Sequence, residues 1–396
     1  MSDELRRELQ RISPPDELEA QRRAWPLVRS AFDVREPVTW QRRHLRLLVA
    51  AAAAVVLLLA ALSPPGRAVA REVRDAFKDE QTVRAKPALT SLPASGPLLV
   101  TSPRGAWIVR PDGSRRLLGR YEQASWSPHA RFVAVSRRRE LRAVDPKGNI
   151  RWSLERNRPI SGASWAPDGF RVAYLSGIAL RVVAGDGTGD KELRRRVYPS
   201  PPAWRPVKQH QLAFVTVDSR VVLVDADSGA VRWRSQPGVE PPRQLAWSED
   251  GKRLLALGER SLRVLDDRGA QLWAIGLPVG PTGVAFARGA HRFFLIRWVP
   301  AKGQSEVVLM QAEAQRGEER ALYSAAGEFG GLSVSPNGRW LLVGWVNADQ
   351  WLFLRLDRLL VRAVAGVAAK FGGVQRSGPL SSVFPSDVSW CCPASP

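Results

Sequence analysis

The sequence predicts an all-β protein: a seven-bladed β-propeller, with six blades as the fallback, preceded by a transmembrane helix and a short helical cytoplasmic segment. Three observations support this prediction. One motif recurs at a nearly constant spacing, a second motif recurs inside the same units, and one long apolar run lies near the N-terminus. Repeats of about 40 residues that each hold two hairpins are typical of propeller blades.

The first motif is a small residue and an anchor residue, a turn rich in Pro, Asp and Gly, and then an apolar run. The structural repeat anchors are Trp126, Trp165, Trp204, Trp247, Phe286, Val334 and Trp390. The first six anchors lie 39 to 48 residues apart, which is the length of a four-stranded blade. We expect each anchor to end an innermost strand, and the apolar run after the turn to form the next, buried strand.

The second motif is an Asp-Gly turn followed by a strand that carries a tryptophan. It occurs three times, as Asp145, Gly148 and Trp152, as Asp225, Gly229 and Trp233, and as Asp266, Gly269 and Trp273. We expect the tryptophans of both motifs to pack the core and the contacts between blades. A stacking surface is the alternative role.

The first blade lacks an innermost strand in its own part of the sequence. Residues 98–119 supply three strands, whereas Ser389-Trp390 matches the innermost-strand motif and has no strand after it. The C-terminal segment is therefore predicted to complete the first blade, which protects the two edges that an open repeat array exposes.

Both motifs resemble known repeats. SWSP (125–128), SWAPDG (164–169), AWSEDG (246–251) and SVSPNG (333–338) resemble the TolB-type, WD-like repeat of bacterial envelope proteins. VVLVDADSGAVRW (221–233) looks like the pyrroloquinoline-quinone-type repeat, which outer-membrane assembly scaffolds use without a cofactor. The resemblance covers residues 97–394 and implies the architecture, but a propeller fold alone specifies little about function.

A membrane anchor is predicted over residues 47–66. Leu47 to Leu62 are all apolar and the uncharged stretch continues to Gly66, which reaches the roughly twenty residues that span a bilayer. Arg42, Arg43 and Arg46 form the basic flank expected on the cytoplasmic side. We therefore expect a single-pass protein of the cell membrane with residues 1–46 in the cytoplasm, a linker at 67–96 and the propeller, 97–396, outside it. Cleavage after Ala70 and a buried core helix are the alternatives.

Residues 1–46 are predicted to contain an amphipathic helix. Ser13 is a suitable N-cap, and residues 24–32 carry an apolar stripe opposite several arginines. This helix is expected to lie on the membrane surface or to bind a cytoplasmic partner.

The charge favours anionic partners. The chain has 59 Lys and Arg against 38 Asp and Glu, a formal net charge of +21, and most of the excess lies after residue 46. Such charge attracts polyanions with a strength that falls as salt rises. Two loop clusters form the possible binding rim: Arg137, Arg138, Arg139, Arg194, Arg195 and Arg196. Nucleic acid is expected to bind only nonspecifically.

The sequence carries no serine-hydrolase elbow, P-loop or dinucleotide fingerprint. His129, His210 and His291 occupy the same turn of three different blades, so they are expected to be turn residues, and the acidic loop 186–190 is expected to be a hairpin turn. No catalytic residue, cofactor or metal site is predicted.

The only cysteines, Cys391 and Cys392, are adjacent. A bridge between neighbours is strained, so no disulfide framework is predicted and burial in the closing strand is expected. Soft-metal binding or a redox switch is the alternative.

The function predicted from these observations is a non-catalytic platform that binds or senses a protein or an anionic ligand of the cell envelope. Two alternatives stay open: transmembrane signalling to a cytoplasmic partner such as a sigma factor, and an envelope enzyme or quinoprotein.

Overall fold

The computed structural model describes residues 91–208, 210–289, 291–313, 319–358, 360–372 and 380–392. These residues form seven antiparallel sheets of four strands each, which confirms the seven-bladed propeller and excludes six blades. The helical segment 1–46, the anchor 47–66 and most of the linker 67–96 lie outside the described residues. Within them, no helix has the length and apolar character needed to cross a bilayer.

The strands follow the chain blade by blade. Blade 1 holds β1 (Leu98–Ser102), β2 (Gly105–Val109) and β3 (Arg115–Gly119). Blade 2 holds β4 (Gln123–Trp126), β5 (Val133–Arg137), β6 (Glu140–Val144) and β7 (Ile150–Glu155). Blade 3 holds β8 (Ile160–Trp165), β9 (Arg171–Ser176), β10 (Ala179–Ala184) and β11 (Lys191–Arg194). Blade 4 holds β12 (Ala203–Trp204), β13 (Gln211–Val215), β14 (Val221–Asp225) and β15 (Val231–Arg234).

Blade 5 holds β16 (Gln244–Trp247), β17 (Arg253–Leu257), β18 (Ser261–Asp266) and β19 (Gln271–Gly276). Blade 6 holds β20 (Gly283–Phe286), β21 (Arg292–Val299), β22 (Gln304–Gln311) and β23 (Arg320–Ala326). Blade 7 holds β24 (Phe329–Val334), β25 (Trp340–Trp345), β26 (Gln350–Arg355) and β27 (Leu360–Ala365). A short helix, α1 (Val367–Phe371), and the last strand, β28 (Asp387–Trp390), follow.

The predicted closing strand is present. β28 pairs antiparallel with β1, with Trp390 opposite Leu98 and Asp387 opposite Thr101, and so becomes the innermost strand of blade 1. The pairing covers the edge of β1 that would otherwise remain open.

Burial follows the position of a strand within its blade. All five residues of β14 are buried, whereas β15, the outermost strand of the same blade, alternates half-buried and exposed residues. Middle strands pack against neighbouring blades on both faces, so they need continuous apolar runs, while outer strands keep one face in water. This difference explains why the sequence repeats one apolar run and one alternating segment per blade.

Aspartate recurs in the Asp-Gly turns because its carboxylate accepts hydrogen bonds from backbone N–H groups of the turn. The Oδ1 atom of Asp145 accepts from the backbone N–H groups of Lys147 and Asn149, each at 2.9 Å. Hydrogen bonds from Asn149 favour the charged carboxylate and lower the pKa of Asp145 to about 2. Asp266 caps its turn in the same way, through Arg268 and Ala270. The aspartate of the motif is therefore a turn-forming residue.

Tryptophans link several blades to their neighbours. Three inner-strand anchors donate their indole N–H to a backbone carbonyl of the preceding blade: Trp126 to Ser389 at 3.3 Å, Trp204 to Ser164 at 2.9 Å and Trp247 to Ala203 at 3.3 Å. Outer-strand tryptophans donate to the following blade: Trp152 to Gly185 at 2.8 Å, Trp233 to Asp267 at 2.9 Å and Trp273 to Ala312 at 3.0 Å. Buried backbone carbonyls at the blade interfaces are satisfied in this way.

The end of the predicted linker packs on the propeller. Leu92 and Ala94 contact the core cluster shared by blades 7 and 1, and the N–H of Leu92 donates to the carbonyl of Pro111 at 2.9 Å. The carbonyl of Gly96 accepts from the indole of Trp390 at 3.0 Å. Residues 91–96 are thus fixed to the first blade.

Candidate anion-binding rim

Alternating strand directions give the propeller two rims. Counting strands from the innermost, the turns between the first and second and between the third and fourth strands share one end, here called the motif rim. The turns between the second and third strands and the connections between blades share the other end, here called the arginine rim. The turn 138–139 and the connection 195–202 belong to the arginine rim.

Both predicted arginine clusters lie on the arginine rim, in neighbouring blades. Arg137 ends β5, and Arg138 and Arg139 form the turn to β6. Arg194 ends β11, and Arg195 and Arg196 begin the connection to blade 4. Arg194 is half-buried and the other five are exposed.

Carboxylates engage only part of this charge. Arg139 pairs with Glu155 at 3.4 Å and Arg195 pairs with Glu192, while Arg194 donates to the backbone carbonyls of Leu193 and Gly229. Among the described residues, Arg137, Arg138 and Arg196 make no ion pair. Arg138 and Arg196 also adopt left-handed backbone conformations, with φ of 53° and 57°, at sharp turns of the chain.

A cavity of about 410 Å³ opens beside Arg137 on the same rim. Its polar wall includes Arg120, Tyr121, Glu122, Ser381 and Ser386. Glu122 is already engaged, because its Oε2 accepts from the N–H of Arg138 at 3.1 Å. Two guanidinium groups and nearby hydroxyl donors suit a phosphate, sulfate or carboxylate group.

Arg120 and the serines of this cavity belong to none of the sequence motifs. They lie in the connection from blade 1 to blade 2 and in the segment before β28, and neither segment belongs to the repeat. The sequence offers one indication of this cavity, which is that Arg120 directly follows the last residue of β3.

The three histidines lie on the motif rim of blades 2, 4 and 6, which are not neighbours. Two of them face carboxylates: Nε2 of His210 is 3.7 Å from Oδ2 of Asp225, whereas Nε2 of His291 is 2.8 Å from Oδ2 of Asp250 and its Nδ1 contacts Glu313. Glu313 also pairs with Arg253 at 2.6 Å, and the hydrogen bond from Arg253 lowers the pKa of the Glu313 carboxyl. Among the described residues, no group of three His, Cys, Asp or Glu side chains is placed to hold a metal ion.

The acidic loop 186–190 is a turn with an ion-pair cluster at its end. Asp186 accepts from the N–H of Thr188 at 2.9 Å, as a turn aspartate does. Asp190 accepts from the hydroxyl of Tyr174 at 2.6 Å and from Arg181 at 2.7 Å, and it also pairs with Arg156. Arginines therefore occupy the carboxylate that a cation would need.

The structure contains a disulfide that the spacing of the cysteines does not predict. Cys391 and Cys392, which directly follow β28, are joined by a disulfide bond. The chain turns at Cys392, whose φ is 29°, and this local turn between neighbours is not visible in residue spacing. Cys391 is buried, as expected.

The repeat anchors lie where the motif predicts, at or near the ends of innermost strands. They are spread around the whole ring, one in each blade, whereas the two arginine clusters lie on one rim of neighbouring blades.

Comparisons with known proteins support the fold alone. No family model and no curated protein matches the chain. Hydrazine synthase of Kuenenia stuttgartiensis is similar with a TM-score of 0.51 and 16% identity, over 59% of this chain and 76% of that one. A functionally unknown protein from Desulfotomaculum acetoxidans has a TM-score of 0.53 and 12% identity, over 69% and 96%. The Cps50 (Swd1) propeller domain of Myceliophteria thermophila has a TM-score of 0.48 and 14% identity, over 62% and 86%. The chain is thus similar in fold to solved proteins of differing description.

Proposed function

We propose that the protein is a non-catalytic binding platform, anchored in the cell membrane by residues 47–66, with its propeller outside the cytoplasm. The arginine rim is its binding surface, and its ligand is an anionic protein segment or an anionic polymer of the envelope. The gathering of six arginines on one rim of two neighbouring blades, three of them without an ion pair among the described residues, is the observation that supports this proposal. The resemblance to TolB-type and quinone-type repeats is consistent with a role in the envelope.

A charge-reversal variant tests the arginine rim. Arg137→Glu, Arg138→Glu and Arg196→Glu together should weaken binding of fluorescent oligoglutamate and dextran sulfate about tenfold or more, because the local positive potential is lost. Fluorescence anisotropy at several salt concentrations measures the effect on the full-length protein.

A variant of the opposite rim is the matched control. Arg131→Glu, Arg268→Glu and Arg339→Glu change the net charge by the same amount at exposed positions of the motif rim. Equal losses in the two triple variants would mean that bulk charge, and not the arginine rim, attracts the polyanions.

Protease accessibility tests the placement of the propeller. A C-terminal tag should be cleaved in intact cells, and the tagged protein should remain in the membrane fraction at full-length mass. A tag that is protected until the cells are permeabilised would place the propeller inside and overturn this part of the proposal.

A further inference from the structure

An aromatic groove lies between blades 2 and 3 on the motif rim. Its cavity measures about 600 Å³ and is lined by Phe132, Trp152, Trp165 and Phe170, with Asp186 at its wall. The rings of Phe132 and Trp165 stack with centroids 6.4 Å apart. Phe170 is 72% exposed, although the corresponding turn residue is lysine in blade 5 and arginine in blade 7. We call this cavity the aromatic groove.

The repeat supplies a counterpart between blades 4 and 5. Trp233 and Trp247 stand there in the places of Trp152 and Trp165. Arg205 fills this second groove: its guanidinium carbon lies 5.2 Å from the ring centroid of Trp247. Its Nε donates to the carbonyl of Gly251 at 2.8 Å, and its Nη2 is 3.3 Å from Oδ2 of Asp267. The counterpart thus shows which chemical group these walls accept.

The aromatic groove lacks this arginine. Arg205 directly follows the anchor Trp204, and the residue that follows the anchor Trp126 of blade 2 is Ser127. The hydroxyl of Ser127 turns back to accept from the N–H of Phe132 at 2.8 Å. In the part of the chain that the structure describes, guanidinium groups lie over Trp107, Trp247, Trp340 and Phe371, and none lies over Trp165.

Trp165 differs from its counterpart in a second way. Its side chain is 7% exposed and its Nε1 has no hydrogen-bond partner, whereas Nε1 of Trp247 donates to the carbonyl of Ala203. Because Nε1 of Trp165 is itself buried, this unpaired donor marks a difference between the two blade interfaces and is not open to a ligand.

We propose that the aromatic groove binds the guanidinium group of an arginine side chain presented by a peptide partner. A cation is attracted to the faces of aromatic rings, most strongly when water is excluded. Asp186 supplies a carboxylate, and hydrogen bonds from Thr188 lower its pKa and keep it charged.

One cation already lines the groove. Arg151 is paired with Asp145 at 2.9 Å. In the filled counterpart, the equivalent residue Arg232 is paired with Asp225 at 2.7 Å, and Arg205 is nevertheless bound there. A neutralised arginine at this position is thus compatible with a second guanidinium group.

The net charge makes the test selective. A protein of formal charge +21 repels small cations in general, so a cationic peptide that binds must use a local site. The probe is the peptide acetyl-Gly-Arg-Gly-amide, titrated into the full-length protein while tryptophan fluorescence and heat are recorded. The control is the same peptide with citrulline, which keeps the shape of arginine and removes the charge. We expect the citrulline peptide to bind at least about tenfold more weakly than the arginine peptide.

Three variants and one control locate the site. Phe170→Ala and Asp186→Asn, both at exposed positions, should each weaken the arginine peptide several-fold, whereas Val207→Ala, at an exposed position of the same rim in blade 4, should not. Ser127→Arg should fill the groove as Arg205 fills its counterpart and abolish binding.

Three results would overturn the proposal: no binding of the arginine peptide, equal affinity for the citrulline peptide, or unchanged affinity in both Phe170→Ala and Asp186→Asn. Retained binding by a folded Ser127→Arg variant would overturn it as well. If Ser127→Arg does not fold, the two exposed variants decide the question.

Discussion

Replacing Trp390 with alanine should lower the free energy of unfolding by about 3–5 kcal/mol, because a large buried ring is removed from the strand that closes the propeller. Trp390 is 5% exposed and packs against Phe353 with ring centroids 5.7 Å apart. Its indole donates to Gly96, and its backbone N–H donates to Oγ of Ser333 at 2.8 Å. The residue thus joins blade 1, blade 7 and the segment before β1.

Urea unfolding followed by circular dichroism measures this loss. Phe170→Ala is the control, since a ring that is 72% exposed should contribute within about 0.5 kcal/mol. A loss below about 1 kcal/mol for Trp390→Ala would show that closure contributes little to the stability of the folded ring.

Gly269→Ala should also destabilise the protein strongly. Gly269 has φ of 85°, and a Cβ atom there would lie 2.5 Å from Cε3 of Trp233. The left-handed backbone should cost the alanine variant about 1–2 kcal/mol of folding free energy. Overpacking of the Cβ atom against Trp233 should cost about 1–3 kcal/mol more. Trp233 would have to move and give up its hydrogen bond to Asp267, so its fluorescence should shift as well.

Gly189→Ala separates the two contributions. Gly189 has φ of 62°, but no atom lies within 4 Å of its hypothetical Cβ. This variant should show the backbone cost alone, about 1–2 kcal/mol. Equal losses in the two glycine variants, measured by the same urea unfolding, would mean that the contact between Gly269 and Trp233 is not a tight one.

The blade architecture was predictable because each blade repeats the same local physics. An anchor, a turn and an apolar run recur, so the strands of a blade with a weak motif can be assigned from the blades beside it. Blade 4 still departs from the pattern: β12 has only two residues, because Pro199, Pro201 and Pro202 precede it and proline cannot donate to a sheet. Blade 6 reaches its longer spacing through two eight-residue strands, β21 and β22.

The candidate sites were less predictable, because they arise where the repeat is broken. The arginine clusters were visible as runs, but the cavity beside Arg137 uses Arg120 and Ser386, which no motif connects. The aromatic groove depends on Ser127 standing where blade 4 has Arg205. This difference between the two turns points to a binding site only once the aromatic side chains around Ser127 and Arg205 are known.

Ring closure by β28 also determines when the protein can finish folding. The hydrogen bond between Trp390 and Gly96 joins residues 294 positions apart, so blade 1 depends on nearly the whole propeller having been synthesised. Contacts this distant in sequence form slowly, because the loop entropy is lost before any contact compensates for it. Until then β1 presents an open edge, which can accept the closing strand of a second copy as readily as its own. Exchange of β28 between nascent chains is therefore the misassembly to which this topology is most exposed.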